Sequence, residues 1–314
     1  MTSQLEIIDF HNHHIPARFE DAVVEASPAD QRARWKVLAR RLSDEDLLVG
    51  RVREGELSAR IVNMSPALIA DADGCVPHKT ITALNDDLAD LVARHPGRIH
   101  GLASVDAYDG DRSAREAERA IRELGLRGLF VDCARGGLMI DAPQARATLE
   151  VAARLGVPVF VHPVAPQPLT QQLAPYGLIG TLFARGTANG ASLIALIEGG
   201  VFSQLPGLRV VVTALALGGV AMAAGLSRQS LLPAGALDVL RRHVFIDTNV
   251  VHPALLRASV DLLGAGNVIA GSDWPVNDGP FRGPLTKAMQ DAGLAEEEQY
   301  AIAAGNCRRL LGIA

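Results

Sequence analysis

Two histidines stand two residues apart at the end of an apolar run, in Ile8-Asp9-Phe10-His11-Asn12-His13-His14-Ile15-Pro16. In an extended strand residues i and i+2 share a face, so His11 and His13 can aim both imidazoles at one point, which is half of a metal site. Two further residues suit the same purpose: His162 ends the run Val159-Phe160-Val161-His162-Pro163, and Asp273 follows Ala270-Gly271-Ser272. Three imidazoles and a carboxylate fit a borderline divalent cation, Zn2+ foremost, with Mn2+, Fe2+ and Co2+ as alternatives. Taken singly, each residue has a plainer reading as a hydrogen-bonded loop or core histidine, or as a turn-capping aspartate. Their joint placement carries the expectation.

Such residues need a scaffold that brings distant segments together. Short apolar runs at 5–10, 61–64, 99–105, 128–131, 157–161, 209–213, 244–247 and 268–271 predict eight buried strands. Helical periodicity lies between them, as in Ile81, Leu84, Leu88, Leu91 and Val92, and His95-Pro96-Gly97, Gly125 and Gly156 mark helix ends. This alternation predicts an α/β fold, a (β/α)8 TIM barrel forming one domain over 1–314. Strands one and eight then lie side by side with strand five opposite, and His11, His13, His162 and Asp273 meet at the C-terminal mouth. The first crossover is the exception: residues about 17–60, crowded with arginines and acids, predict a helical insertion over the mouth. Its charges read as a solvated face, with a lid or subunit contact as the alternative.

Composition narrows the class. A chain of 314 residues with 48% hydrophobic content, 21% charge and net charge −5 has no global attraction to nucleic acid or anionic membrane. The uncharged stretch 210–227 is interrupted by glycines and reads as a buried strand and an apolar helix, so no membrane partner is expected. Cys75, Cys133 and Cys307 show no disulfide or Cys-x-x-Cys pattern, and no signal peptide is evident, so a cytoplasmic location is expected.

The pieces Asp9 to Pro16, Asn85-Asp86-Asp87-Leu88, His95 to Arg98, Gly125-Leu126-Arg127-Gly128, Phe160 to Pro163, Gly271 to Pro275 and Gly305-Asn306-Cys307-Arg308-Arg309 occur in the order seen in one family. The chain resembles the amidohydrolase superfamily, in the amidohydrolase-2 branch that includes aminocarboxymuconate-semialdehyde decarboxylase. The resemblance implies His11, His13, His162 and Asp273 as metal ligands, zinc as the usual metal and a small carboxylated or phenolic substrate. It also exposes a departure. The branch generally has a histidine shortly before glycines after strand six, the acid/base residue of the decarboxylase mechanism, where this chain has Thr213-Ala214-Leu215-Ala216-Leu217-Gly218-Gly219. Ala and Leu shuttle no protons.

The function expected first is therefore a metal-dependent hydrolase of a small lactone, ester or amide. A metal-bound water would attack, and Asp273 would orient it and carry its proton. His252, in Val250-Val251-His252-Pro253, is a substitute acid/base or else a hydrogen-bonded loop residue. The alternatives are a zinc-dependent non-oxidative decarboxylase of an aromatic or muconate-type acid, and a barrel without catalysis. Of Arg18, Arg135, Arg185, Arg228 and Arg282, which could reach the mouth, Arg135 in the glycine-flanked turn after strand four is the expected substrate-binding residue. The segment 163–190 is expected to wall the pocket as a long loop, and homo-oligomerisation through apolar surface helices is expected.

Overall fold

The computed structural model describes residues 5–71, 74–232 and 235–313. Eight parallel strands form the barrel: β1 Ile8–His13, β2 Ala59–Asn63, β3 Ile99–Ser104, β4 Leu129–Asp132, β5 Val159–His162, β6 Val210–Val212, β7 Val244–Asp247 and β8 Val268–Ile269. Each falls within or across an expected strand. The seam between β1 and β8 is stitched by single bonds, with Phe10 N–H donating to Ala270 O at 2.8 Å and His13 N–H to Trp274 O at 2.8 Å. Asp9 reinforces it, accepting from the Ser272 N–H (2.9 Å) and hydroxyl (2.7 Å). Behind Asp9, fully buried Arg60 lies against the Trp274 ring.

Every barrel strand sends side chains inward to one cluster that includes Phe10, Ile61, Leu102, Phe130, Phe160, Val211, Phe245 and Ile269. Cys307, Leu311 and Ile313 pack into the same cluster from the C-terminal helix Asn306–Leu311 and the residues beyond it. Asn306 anchors that helix by donating to Ala265 O and Val268 O, both at 2.7 Å. A larger apolar layer lies between the strands and the outer helices.

Period two along a strand makes the next inward residue after each of these hydrophobes a position at the mouth. Those positions are Asn63, Ser104, Asp132, His162, Thr213, Asp247 and Gly271. β1 departs from strict alternation. Asp9 pairs with Arg60 while Asn12 pairs with Val62, so β1 carries one extra residue, a β-bulge. Phe10 and His11 consequently both face inward, each against the Phe160 ring, at 5.3 and 4.8 Å between centroids. Asn12 clasps the bulge, its amide donating to Asp9 O (2.7 Å) and Ile61 O (3.1 Å).

Two sequence expectations are refined. The insertion holds three helices, Glu20–Ala26, Arg32–Ser43 and Glu45–Arg53, but the third buries Leu48, Val49 and Val52 in the main core as the ordinary first crossover helix. Only the first two form an excursion, with a small core of their own around Ile15, Val23, Ala39 and Leu42 that packs on Leu68 and Ile69 after β2. Some of the charges there pin the excursion down, through Arg18 to Asp87 and Arg41 to Asp278. The segment 163–190 is largely helical, in Leu169–Leu173 and the first part of the long helix Gly177–Glu198. Gly219 earns its place by packing, since a Cβ there would lie 2.6 Å from Gly190 Cα on that helix.

Among the described residues no helix is long and apolar enough to cross a membrane. The stretch 210–227 holds β6 and the short helix Leu217–Gly225.

Candidate metal centre

His11 and His13 from the end of β1, His162 from the end of β5 and Asp273 after β8 converge as expected, with ligand atoms all within 4.8 Å of one another. His11 Nε2 and His13 Nε2 are 3.1 Å apart, and Asp273 Oδ1 lies 3.3 and 3.2 Å from them. The three rings are buried, and Asp273 sits in the left-handed region at φ 64°. A side chain seldom adopts that conformation, and here it turns a carboxylate back over β1. The Asp273 N–H donates to His11 O at 2.9 Å and secures the turn.

The surroundings fix the tautomers. His11 Nδ1–H donates to Asp247 Oδ2 at 2.6 Å, and the other oxygen of Asp247 accepts from the N–H groups of Ala214 (2.8 Å) and Asn249 (3.1 Å). His13 Nδ1–H donates to Asn63 Oδ1 at 2.7 Å, while the Asn63 amide donates to Asn12 O at 3.0 Å and so fixes which end faces the ring. With both Nδ1 atoms protonated, both Nε2 atoms carry lone pairs and face each other beside a carboxylate. Only a cation or a proton between them relieves that repulsion. His162 adds a buried Nδ1 with no protein partner. This donor set therefore fits a divalent cation of the kind that takes imidazole and carboxylate.

The electrostatics agree. Burial opposes charge on His11, but the carboxylates of Asp273 and Asp247 outweigh it and raise its pKa. Burial likewise works against the Asp273 anion, and His11 and His13 more than reverse it, leaving that carboxyl below the usual range. His162 is pushed well down by burial and then by the neighbouring His13, Arg185 and His11, which keeps it neutral and able to donate a lone pair. Asp132, the residue beside His162 in the β4–β5 register, is pushed up to about 7 by burial and by Asp106, against Arg185 and Arg135.

Two other expected residues stand elsewhere. His252 caps the helix Pro253–Leu263, its Nδ1 accepting from the Ala254 N–H at 3.2 Å, and it is exposed rather than gathered into the cluster. Arg135 is engaged with Asp106 and lies over the Tyr108 ring, lining a small cavity beside the mouth. Arg282 is turned away, donating to Glu56 O and Leu5 O. Among the described residues no imidazole outside the ligand set joins the cluster in place of the one missing after β6. Thr213 takes the inward position there, bonded to Asn189, and Ala214 supports Asp247 through its N–H. The supporting residues Asp247, Asn63 and Asn12 were not among those expected from sequence.

The amidohydrolase family profile matches residues 8–313. The chain belongs to the amidohydrolase family. Among its curated relatives, this amidohydrolase is 24% identical to a gamma-resorcylate decarboxylase from Polaromonas sp., over 88% of this chain and 90% of that one. It is 26% identical to a 2-amino-3-carboxymuconate-6-semialdehyde decarboxylase from Dictyostelium discoideum, over 73% of this chain and 66% of the other. Among solved structures, a dihydroxybenzoic acid decarboxylase from Polaromonas sp. JS666, with bound manganese and the inhibitor 2-nitroresorcinol, superposes with a TM-score of 0.82 at 22% identity, covering 98% and 97% of the two chains.

Proposed function

We propose that this amidohydrolase is a metal-dependent carboxy-lyase that removes CO2 from a small hydroxylated aromatic or muconate-type acid. The observation that carries the reading is the convergence of His11, His13, His162 and Asp273 at the mouth of a barrel whose named relatives are decarboxylases. The hydrolase expected first rested on the same four residues together with the missing imidazole, and the decarboxylase relatives support it less. A divalent cation held by the four residues would polarise a substrate oxygen and stabilise negative charge on it. The manganese of the Polaromonas structure favours Mn2+ alongside Zn2+.

The chain's own groups supply the rest. Asp273, an anion at rest, would take up a proton from solvent and relay it to the ring carbon that bears the carboxylate, and CO2 would leave with its bonding electrons left on that carbon. The test is release of CO2 from 2,6-dihydroxybenzoate and related acids by protein loaded with Mn2+ or Zn2+, read in a coupled assay and by deuterium incorporation from D2O. Hydrolysis of lactones or esters without CO2 release would refute the reading.

A homo-oligomer is part of the proposal, supported by the exposed Ile179, Phe183 and Met222 on two packed helices. Sedimentation velocity giving only monomer at micromolar concentration would refute it. A cytoplasmic location is proposed on the cysteine pattern alone, and export of the native protein would contradict it.

A further inference from the structure

Two side chains at the mouth each keep one buried polar atom without a partner. Arg185, on the long helix Gly177–Glu198, is tethered by its Nη2 donating to Pro163 O at 3.0 Å, one residue past His162. Its Nε is buried and has no partner. Its positive charge is felt at His162, Asp273 and Asp132. Asp132 closes β4 beside His162 and occupies the inward mouth position two residues after Phe130. Its Oδ1 is buried without a partner as well. No hydrogen bond joins Arg185 to Asp132, so a lone donor and a lone acceptor stand on the side of the metal centre formed by β4, β5 and the long helix.

Leaving such groups unmade costs about 1–3 kcal/mol each, so they are filled when the site works. What fills both must offer an acceptor to the guanidinium and a donor to the carboxylate. A carboxylate or phenolate oxygen next to a hydroxyl on one small planar molecule does so. The neighbouring arginine is not available for this, since Arg135 is engaged with Asp106.

We propose that Arg185 and Asp132 are the substrate-recognition pair of this enzyme, Arg185 taking an anionic oxygen of the acid and Asp132 accepting from a hydroxyl of the same molecule. The inference rests on the acid-substrate reading given above and adds the residues that select the substrate. Charge supports it: with Asp247 bonded to His11, three neutral imidazoles, two carboxylates and a divalent cation cancel, so Arg185 is the group that brings positive charge to that wall.

The test is calorimetric titration of the intact Mn2+-loaded protein with 2,6-dihydroxybenzoate, benzoate and resorcinol, comparing wild type with Arg185→Met, Arg185→Lys and Asp132→Asn. Arg185→Met should weaken the two carboxylates about 10- to 100-fold and leave resorcinol within about twofold. Arg185→Lys, which keeps the charge and loses the fork, should recover only part of that loss. Asp132→Asn should weaken the two hydroxylated ligands and spare benzoate. Melting curves and bound metal per chain verify folding, and if the Met variant does not fold, the Lys variant decides. Arg185 variants that bind all three ligands like wild type would overturn the assignment, as would wild type binding none of them. CO2 release is scored separately, so failure of this pairing and failure of the decarboxylase reading are told apart.

Discussion

Replacing Asp247 by Asn tests whether the metal centre is built by its supporting residues. The carboxylate holds three hydrogen bonds, one oxygen taking His11 Nδ1–H at 2.6 Å and the other the N–H groups of Ala214 and Asn249 at 2.8 and 3.1 Å. An amide has one acceptor oxygen and a donor NH2. Turned with its NH2 toward the two backbone donors, it leaves both unsatisfied at about 1–3 kcal/mol each, so it will turn the other way. The NH2 then faces His11 and drives that ring to the tautomer with its proton on Nε2, the atom that should bind metal. Outer partners of metal-bound histidines are worth about 10- to 100-fold in affinity, or about 1.4–2.8 kcal/mol. The two backbone hydrogen bonds survive and the one to His11 reverses its direction, so the variant should fold. Mn2+ affinity measured by chelator competition should fall by that factor, with the metal-free melting transition still cooperative. A variant that folds and binds metal within threefold of wild type would refute the assignment of Asp247.

Further expectations follow from the same geometry. Gly271→Ala would put a Cβ 3.0 Å from His11 Cβ and 3.1 Å from Asp247 Cβ; about 1–3 kcal/mol of stability should be lost together with metal affinity, as denaturant unfolding and metal titration would report. Asn12→Ala strips the buried carbonyls of Asp9 and Ile61 of a donor, so unfolding free energy should drop by about 1–3 kcal/mol and metal binding should weaken as the bulge relaxes. Glu45 is held down to about 2, chiefly by hydrogen bonds from Arg94 and then from His95, although burial opposes it. A carboxyl whose folded pKa is depressed stabilises above its unfolded value and loses that contribution as pH falls through the folded one. The melting difference between wild type and Glu45→Gln should therefore be full at pH 6, shrink below about 4.5 and vanish near pH 2. A constant difference across that range would contradict it.

The barrel was legible because its signals are repetitive: eight apolar runs, each followed by a helical period, leave little topological choice. The four converging residues were legible because strand-end position fixes the mouth. His11 and His13 face inward together for the reason expected, yet their shared face with Phe10 depends on an extra residue in β1 that alternation does not reveal. Asp247 and Asn63 carried a usable signal, since each stands two residues past an inward hydrophobe, Phe245 and Ile61. The pairing of Arg135 was not legible, because glycines beside an arginine say nothing about Asp106, which lies 29 residues earlier in the chain. His252 shows the same limit, because a histidine before proline is also a good helix cap. Continuous charge makes the insertion read as one unit in the sequence, whereas the apolar stripe of Leu48, Val49 and Val52 commits its last helix to the core.

A cation at the convergence of His11, His13, His162 and Asp273 is what the proposed chemistry requires most directly. Anomalous diffraction at the manganese edge from crystals grown with MnCl2 would locate it. One peak per chain, about 2.0–2.3 Å from a nitrogen of each ring and an oxygen of Asp273, is the predicted result. Absence of a peak there in fully loaded crystals, or a peak bound elsewhere, would contradict the account.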